Sequence, residues 1–450
     1  MQTISFCLND NFVLHYADGS DAASHLHACA FSQDRDVNRL KGLPVAIHGQ
    51  TDHIIKWLLA LDGVAAEIIL VPFGACDLYK QRILQALPNL VVIKDATVHA
   101  DSWPGEKLWR VDAPGMASSV HEDLKTRWLL ATSGTTSTPK LVTHSLESLS
   151  RSVVNKPFQE QKVWGLLYDP ARFAGLQVLL QAMIGGDQLV APDPRTSLSE
   201  QIAFFLNHGV NAISATPTLW RKILMTPGGN ELLLKQITLG GEIADARTLN
   251  SLSSVFPNAH ITHIYASTEA GVGFAVHDGC PGFPYRWLST GVKGAELSIS
   301  NMSTLMIKPS VLAQGYFDNS SGFYDEDGWI DTGDLVEVKS DRVFFNGRAN
   351  GSINIGGNKV MPEEVEMNIL ELDFVSGALV RSKSSSVAGS LLEAFIVLEG
   401  SVDRKTAISK IKSHCREHLA SYKVPAFIRI VDNLPTTAAG KLAREGLAND

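Results

Sequence analysis

Cysteine is scarce in this sequence: five residues, at positions 7, 29, 76, 280 and 415, in a chain of 450. They are far apart and odd in number, which excludes a disulfide framework and predicts free thiols in a reducing compartment. No His/Cys group has the spacing of a zinc site, so the fourteen histidines are expected to serve structure or surface. Basic runs are also missing. The formal net charge is −8 and the isoelectric point about 6.0, so neither nucleic acid nor an anionic membrane is an expected partner. The longest apolar stretch, "FAGLQVLLQAMIGG" at 173–186, is interrupted by Gln and Gly and is too short to span a bilayer. The opening "MQTISFCLNDNF" has no basic start and no apolar core, unlike a signal peptide. Together these absences predict a cytoplasmic protein without a membrane span.

What is present is a chain with real cores. Hydrophobic residues make up 45% of it, and its length suggests two or three domains. Over residues 43–270, short apolar runs such as "LPVAIHG", "EIILVPFG", "NLVVIKD", "DQLVAP", "KQITLGGE" and "AHITHIYAS" alternate with helical patterns. That alternation predicts parallel sheets covered by helices, with ligands at the carboxyl ends of the strands. From about residue 290 short alternating runs split by Gly and Asp predict a small antiparallel β subdomain. After "NGRANGS" the texture changes again. "MPEEVEMNILEL" starts a helix with Pro362 in its first turn and acids behind it. We therefore divide the chain into a large N-terminal α/β domain, 1–349, and a small mobile α+β domain, 350–450.

The stretch "ATSGTTSTPK", at 131–140, follows the strand candidate "RWLLA". Small and hydroxylated residues can expose backbone N–H groups to an anion, and Lys140 adds a cation. It is not a Walker loop. Laid from Gly134, the second glycine of that pattern falls on Pro139, and Leu141 follows the lysine. Read singly, the loop is equally a polar turn.

The loop does not stand alone. "TSGTTSTPK", "GGE" (240–242), "YASTE" (265–269), "GWIDTGDL", "GRANGSINIGGNKVMPEEVE" and "LPTTAAGKLAR" follow in order. This set resembles the adenylate-forming superfamily of acyl-CoA synthetases, luciferases and peptide-synthetase adenylation domains, over nearly the whole chain. In size it is most similar to the compact aryl and succinylbenzoate ligases. The resemblance implies ATP and Mg²⁺ as cofactors. It also implies an acyl adenylate formed from a small-molecule carboxylic acid, and a thiol acceptor. That thiol is CoA or, alternatively, the phosphopantetheine of an acyl carrier protein. A catalytically silent nucleotide-binding relative is the alternative of another class.

Residue by residue, the resemblance implies that Thr132, Ser133, Gly134, Thr135, Thr136 and Lys140 cradle the β- and γ-phosphates. Thr268 would bond the α-phosphate and Glu269 would hold Mg²⁺. Gly241, Glu242 and Tyr265 would line the adenine slot, with Tyr265 stacked on the ring. Asp334 would accept from the ribose hydroxyls, and Arg348 would reach the ribose or phosphates. Lys441 would bridge the α-phosphate and the attacking carboxylate. Asn350 would be the hinge, and Gly356 and Gly357, in "INIGGNK", would serve the thiol. Taken one at a time, Asp334 reads as a turn cap, Glu269 as a first-turn helix acid, and Lys441 and Arg348 as surface cations.

Five positions depart from the family pattern. Ser137 and Leu141 replace glycines in and after the phosphate loop, and Asn350 replaces a charged hinge residue. Ala266 replaces a glycine beside the acyl path, which predicts a narrow pocket and a compact or planar acid. Tyr168, Phe173 and His263 are expected to line that pocket. Arg172 stands where relatives carry histidine and is available either to an acidic substrate group or to solvent.

Overall fold

The computed structural model describes residues 11–16, 19–22, 37, 39–87, 89–94, 124–132, 140–154, 160–317, 322–355, 357–385, 389–400, 402–437 and 440–444. The large domain is built on two mostly parallel sheets. The eight-stranded sheet runs Gly271–Val276, His260–Ser267, Gln236–Gly240, Ala212–Ala215, Val163–Gly165, Gln188–Ala191, Val13–Tyr16, Gly19–Ala22. Only the pairings at its two edges are antiparallel. In the six-stranded sheet, Glu67–Leu70, Pro44–His48 and Val91–Lys94 run parallel with Arg127–Ala131. Leu141–His144 then returns antiparallel across the opening of the hydroxyl-rich loop. The central strands read as near-continuous apolar runs because helices cover both faces. One core accordingly runs from Phe12 and Leu14 through Trp128 to Leu176.

The N-terminal hairpin was not expected from sequence, where the sheet pattern starts near residue 43. Val13–Tyr16 pairs in parallel with Gln188–Ala191. That partner is distant in sequence, so no local pattern announces it.

The expected antiparallel subdomain is a five-stranded sheet in the order Phe283–Pro284, Arg342–Arg348, Ile330–Lys339, Thr304–Pro309, Ala295–Ile299. Beyond it, Val375–Ser385, Gly389–Leu398 and Phe427–Ile430 form a small sheet against the helices Pro362–Leu370 and Arg404–His418. Its core, including Val365, Ile369, Val380, Ile396 and Ile411, contains no residue before 353 among those described. The chain is thus a large α/β domain followed by a smaller α+β domain. Among the described residues no helix is long and apolar enough to cross a membrane.

Candidate active site

Three parallel neighbours of the large sheet end side by side. Ala215 pairs with Leu239, and Gly240 pairs with Ile264, so the chain leaves this edge at Thr216, at Gly241 and around Tyr265. That is the ligand-binding end of an α/β sheet. Gly241 has φ +82°, a left-handed backbone that favours glycine.

On one side lies a polar chain. The Tyr265 hydroxyl donates to Asp334, whose other oxygen accepts from Arg348 Nε at 2.8 Å. Asp334 and Arg348 face each other across adjacent antiparallel strands, which is why residues fourteen apart in sequence meet. Burial, and then the Asp334 charge, hold the Tyr265 hydroxyl protonated far above its ordinary range. Its ring packs parallel to Phe274 and Phe345, with centroids 5.3 and 5.2 Å away. An adenine stacked on Tyr265 would have to share these aromatic neighbours.

On the other side the small domain delivers Lys441. A β-carbon built on Gly241 would lie 2.9 Å from Lys441 Cε and 3.6 Å from its Nζ. The strap that carries it is closed by the Thr437 N–H on the Lys441 carbonyl at 2.7 Å and the Gly440 N–H on the Thr437 carbonyl at 2.9 Å. Burial lowers the Lys441 pKa; Glu242 opposes that shift, and the cations of Arg348 and Arg172 add to it. Lys441 is thus a desolvated cation within the field of two further cations, each paired with a carboxylate.

Glu242 has a job that the sequence does not announce. Its Oε2 accepts from the Thr218 N–H at 2.9 Å, at the start of the helix Pro217–Met225. Its Oε1 accepts from the Leu442 N–H at 2.8 Å. The carboxylate expected beside adenine therefore ties the large domain to the lysine strap. Thr216, which caps the same helix, donates through Oγ1 to the Gly440 carbonyl at 2.7 Å.

The base of the hydroxyl-rich loop is closed by the Thr132 N–H on the Lys140 carbonyl at 2.9 Å. Ser133, Gly134, Thr135 and Thr136 lie outside the described residues, as does Gly356. Lys140 Nζ sits 4.5 Å from the Tyr316 ring centroid, and the Tyr316 hydroxyl donates to Glu269 at 3.4 Å. Loop base and acid thus face one another. Thr268 is fixed through its own carbonyl, 2.8 Å from Nε2 of the buried His144. Burial drops the His144 pKa to about 4, so the ring is neutral at pH 7. Arg151 holds the next turn by donating to the carbonyls of Ala270 and Val272 at 2.6 Å and Val311 at 2.8 Å. Neither residue has a sequence signal, since each acts through backbone carbonyls more than a hundred residues away in sequence.

The residues expected at the acyl pocket lie as follows. Ala266 adjoins a bulge between Tyr265 and Ala266 at the strand end. Tyr168 is buried near enough to Glu242 for that charge to raise its pKa, after burial. Phe173 starts the helix Phe173–Gly185 and packs on the main core, its ring 6.2 Å from His144. Arg172 caps that helix; its Nε is buried with no hydrogen-bond partner, and the Asp169 carboxylate is 3.8 Å away. His263 Nε2 pairs with the Cys280 carbonyl at 2.9 Å. Asn350 lies exposed in the short turn Ala349–Gly351, and the Gly357 N–H bonds Asn354 at 2.9 Å.

Among the described residues no group of three His, Cys, Asp or Glu could hold a metal. One carboxylate, Glu269, beside Lys140 and a polar loop fits Mg²⁺ arriving on phosphate oxygens, which needs few protein ligands. Arg444 completes the site from behind. It donates to both oxygens of Glu366, to Glu363 and to the Val380 carbonyl, fixing the end of the lysine strap within the small domain.

Comparison with known proteins places the chain in a family. The chain is 27% identical to a 2-succinylbenzoate–CoA ligase of Listeria monocytogenes, over 91% of this chain and 92% of that protein. It is 29% identical to a D-alanine–D-alanyl carrier protein ligase of Staphylococcus haemolyticus, over 54% of this chain and 53% of the relative. It superposes on the o-succinylbenzoate CoA synthetase of Bacillus subtilis, solved with its acyl-adenylate intermediate. That match has a TM-score of 0.73 and 20% identity, and covers 97% of this chain and 95% of the other. The model of AMP-binding enzymes matches residues 64–308, and that of their C-terminal domain matches 364–441. The two spans contain the strand ends around Gly241 and Tyr265 as well as Lys441, and the chain belongs to the AMP-binding enzyme family, the adenylate-forming ligases.

Proposed function

We propose that the protein activates a small carboxylic acid with MgATP and passes the acyl group to the thiol of CoA. The observation that carries this reading is the meeting of Lys441 with Gly241 beside the Tyr265–Asp334–Arg348 chain. A carboxylate oxygen attacks the α-phosphorus of ATP, and the bond to pyrophosphate breaks with its electron pair leaving on pyrophosphate. The thiolate then attacks the acyl carbon, and AMP leaves. Both reactants of the first step are anions, so the protein's task is to hold them together and stabilise the charge that develops. Lys441 is assigned that charge, with Thr268 held at the α-phosphate by His144. Asp334 and Arg348 are assigned the ribose, Gly241 and Tyr265 the adenine, Lys140 with residues 132–136 the terminal phosphates, and Glu269 the Mg²⁺. Asn350 is assigned the hinge between 1–349 and 350–450, and Gly356 and Gly357 the path of the thiol. The free, exposed Cys76 and Cys280 suit the reducing cytoplasm.

The acid is proposed to be compact and aromatic, with a second anionic group. Ala266, in place of a glycine, is assigned a narrow acyl path, and Arg172, whose Nε makes no hydrogen bond and lies 3.8 Å from Asp169, is assigned the cation near Lys441. 2-Succinylbenzoate, the acid named for the Listeria relative, has this character. A pyrophosphate-release screen should favour an aryl diacid over benzoate and benzoate over dodecanoate, with CoA-dependent AMP release. Acylation of a holo carrier protein in place of CoA would move the acceptor to phosphopantetheine. Binding of ATP without pyrophosphate release for any acid would mark a non-catalytic relative. Ala266→Gly should widen the range toward bulkier acids by roughly 10-fold or more while leaving ATP affinity unchanged.

A further inference from the structure

Glu242 and Thr216 hold the lysine strap inside the site, but they are not the whole attachment. The helix Ala246–Val255 of the large domain begins with Asp245 as its cap and presents Arg247 to the small domain. One terminal nitrogen, Nη1, donates to the carbonyls of Leu370 at 3.1 Å, Leu372 at 2.6 Å and Val375. The other, Nη2, donates to the Asp373 carbonyl at 2.7 Å and to Glu399 at 3.1 Å. These carbonyls cluster at the C-terminal end of the helix Pro362–Leu370 and the turn that follows it. A helix C-terminus carries unsatisfied carbonyls and partial negative charge, so a guanidinium fork there is well matched. Arg247 is part-buried and Glu399 half-exposed, so the carbonyl cup, more than the acid, defines the contact.

The rest of the contact is loosely filled. A cavity of about 300 Å³ remains between the helix Pro217–Met225 and the small sheet, lined by Thr218, Lys222, Met225, Gly377, Asn433 and Leu442. Lys222 reaches Thr436 across this gap at only 3.4 Å. An orientation held by polar points around a cavity can be released by breaking a few of them.

We propose that Arg247 is a positioning residue that clamps the small domain in the orientation that places Lys441 in the site, and so sets the balance between acid activation and thiol transfer. The proposal rests on the two-step reading above. It also rests on the small domain turning about Asn350 between the steps, which would carry the carbonyl cup away from Arg247. Arg247 touches no residue assigned to the substrates.

The test uses the full chain and its Arg247→Ala and Arg247→Lys variants. Hydrogen exchange is followed in the peptide containing Leu442, whose N–H is held by Glu242. Adenylate formation and thiolysis of supplied acyl adenylate are measured separately. For Arg247→Ala we expect exchange at Leu442 about tenfold faster and adenylate formation about tenfold slower, the size of losing charge-assisted hydrogen bonds. Thiolysis should be unchanged or faster. Arg247→Lys keeps the charge without the fork and should fall between. Equal losses in both half-reactions would reduce Arg247 to a structural support, and unchanged exchange at Leu442 in both variants would remove the clamp. If no acid is activated even by the wild-type chain, the functional reading fails while the exchange experiment still decides the clamp.

Discussion

The two halves of the site are built differently. Tyr265, Asp334 and Arg348 stand on strands paired with their neighbours, and His144, on another sheet, and Arg151, at the end of the short helix Leu146–Ser150, hold the turn that carries Thr268. Lys441 stands on a short strap joined to the large domain by the Thr216–Gly440 and Glu242–Leu442 hydrogen bonds, with Arg247 further out. In the first half Tyr265 cannot move without opening the core around Phe274 and Phe283. The second can leave by exchanging a few hydrogen bonds for water, each worth about 0.5–1.5 kcal/mol net. A reaction whose two steps need different groups at one place is served by this inequality.

The sharpest break in the comparison lies behind the strap. Arg444→Met leaves the buried Glu366 without its cation, a loss of about 3 kcal/mol or more confined to the small domain. Calorimetry should find the small-domain transition lowered and the large-domain one unmoved; a uniform shift would mean that the halves are not independent. Lys441→Ala removes the movable charge itself. Adenylate formation should fall at least about a hundredfold, as for loss of a preorganised donor, with thiolysis of supplied acyl adenylate preserved.

The rigid half is probed through pH. His144 has a folded pKa near 4 against 6.5 for the free side chain, through burial. Between these values the unfolded chain takes up the proton and the folded one does not, so stability falls as pH drops from 6.5 to 4. At 1.36 kcal/mol per unit the full loss is about 3 kcal/mol. Denaturant titrations of the wild type and His144→Gln should differ in slope over that window alone, and parallel curves would contradict the assignment. The smallest effect is expected where the halves touch. Gly241→Ala strains a φ of +82° and pushes on Lys441 Cε, and should slow adenylation roughly tenfold without slowing thiolysis. Slowing of both steps would place the strain in the large domain alone.

Much of this architecture was legible in the sequence. Apolar runs alternating with helical periodicity announce helix-covered parallel sheets, because burial on both faces leaves no room for polar residues. Gly-Gly-Glu and the Tyr-Ala-Ser-Thr-Glu segment could be placed at strand ends from the runs that precede them. The order of six weak motifs pointed to one family, since one nucleotide accounts for all of them. Local sequence also set the helix starts: Pro362 with two following acids, and Asp403 capping Thr406.

Only the tertiary structure decided who holds these groups. His144 reaches Thr268 and Arg151 reaches Ala270 across more than a hundred residues, through carbonyls that every residue possesses. A backbone acceptor has no sequence signature, so neither partnership could be read beforehand. The same reason hides Arg247, whose targets are carbonyls at a helix end, and Glu242, whose carboxylate binds two N–H groups and joins the domains. The Cys280 carbonyl as partner of His263 is hidden for the same reason. Side-chain chemistry and periodicity are written along the chain. The choice among identical backbone partners is made only when distant segments meet.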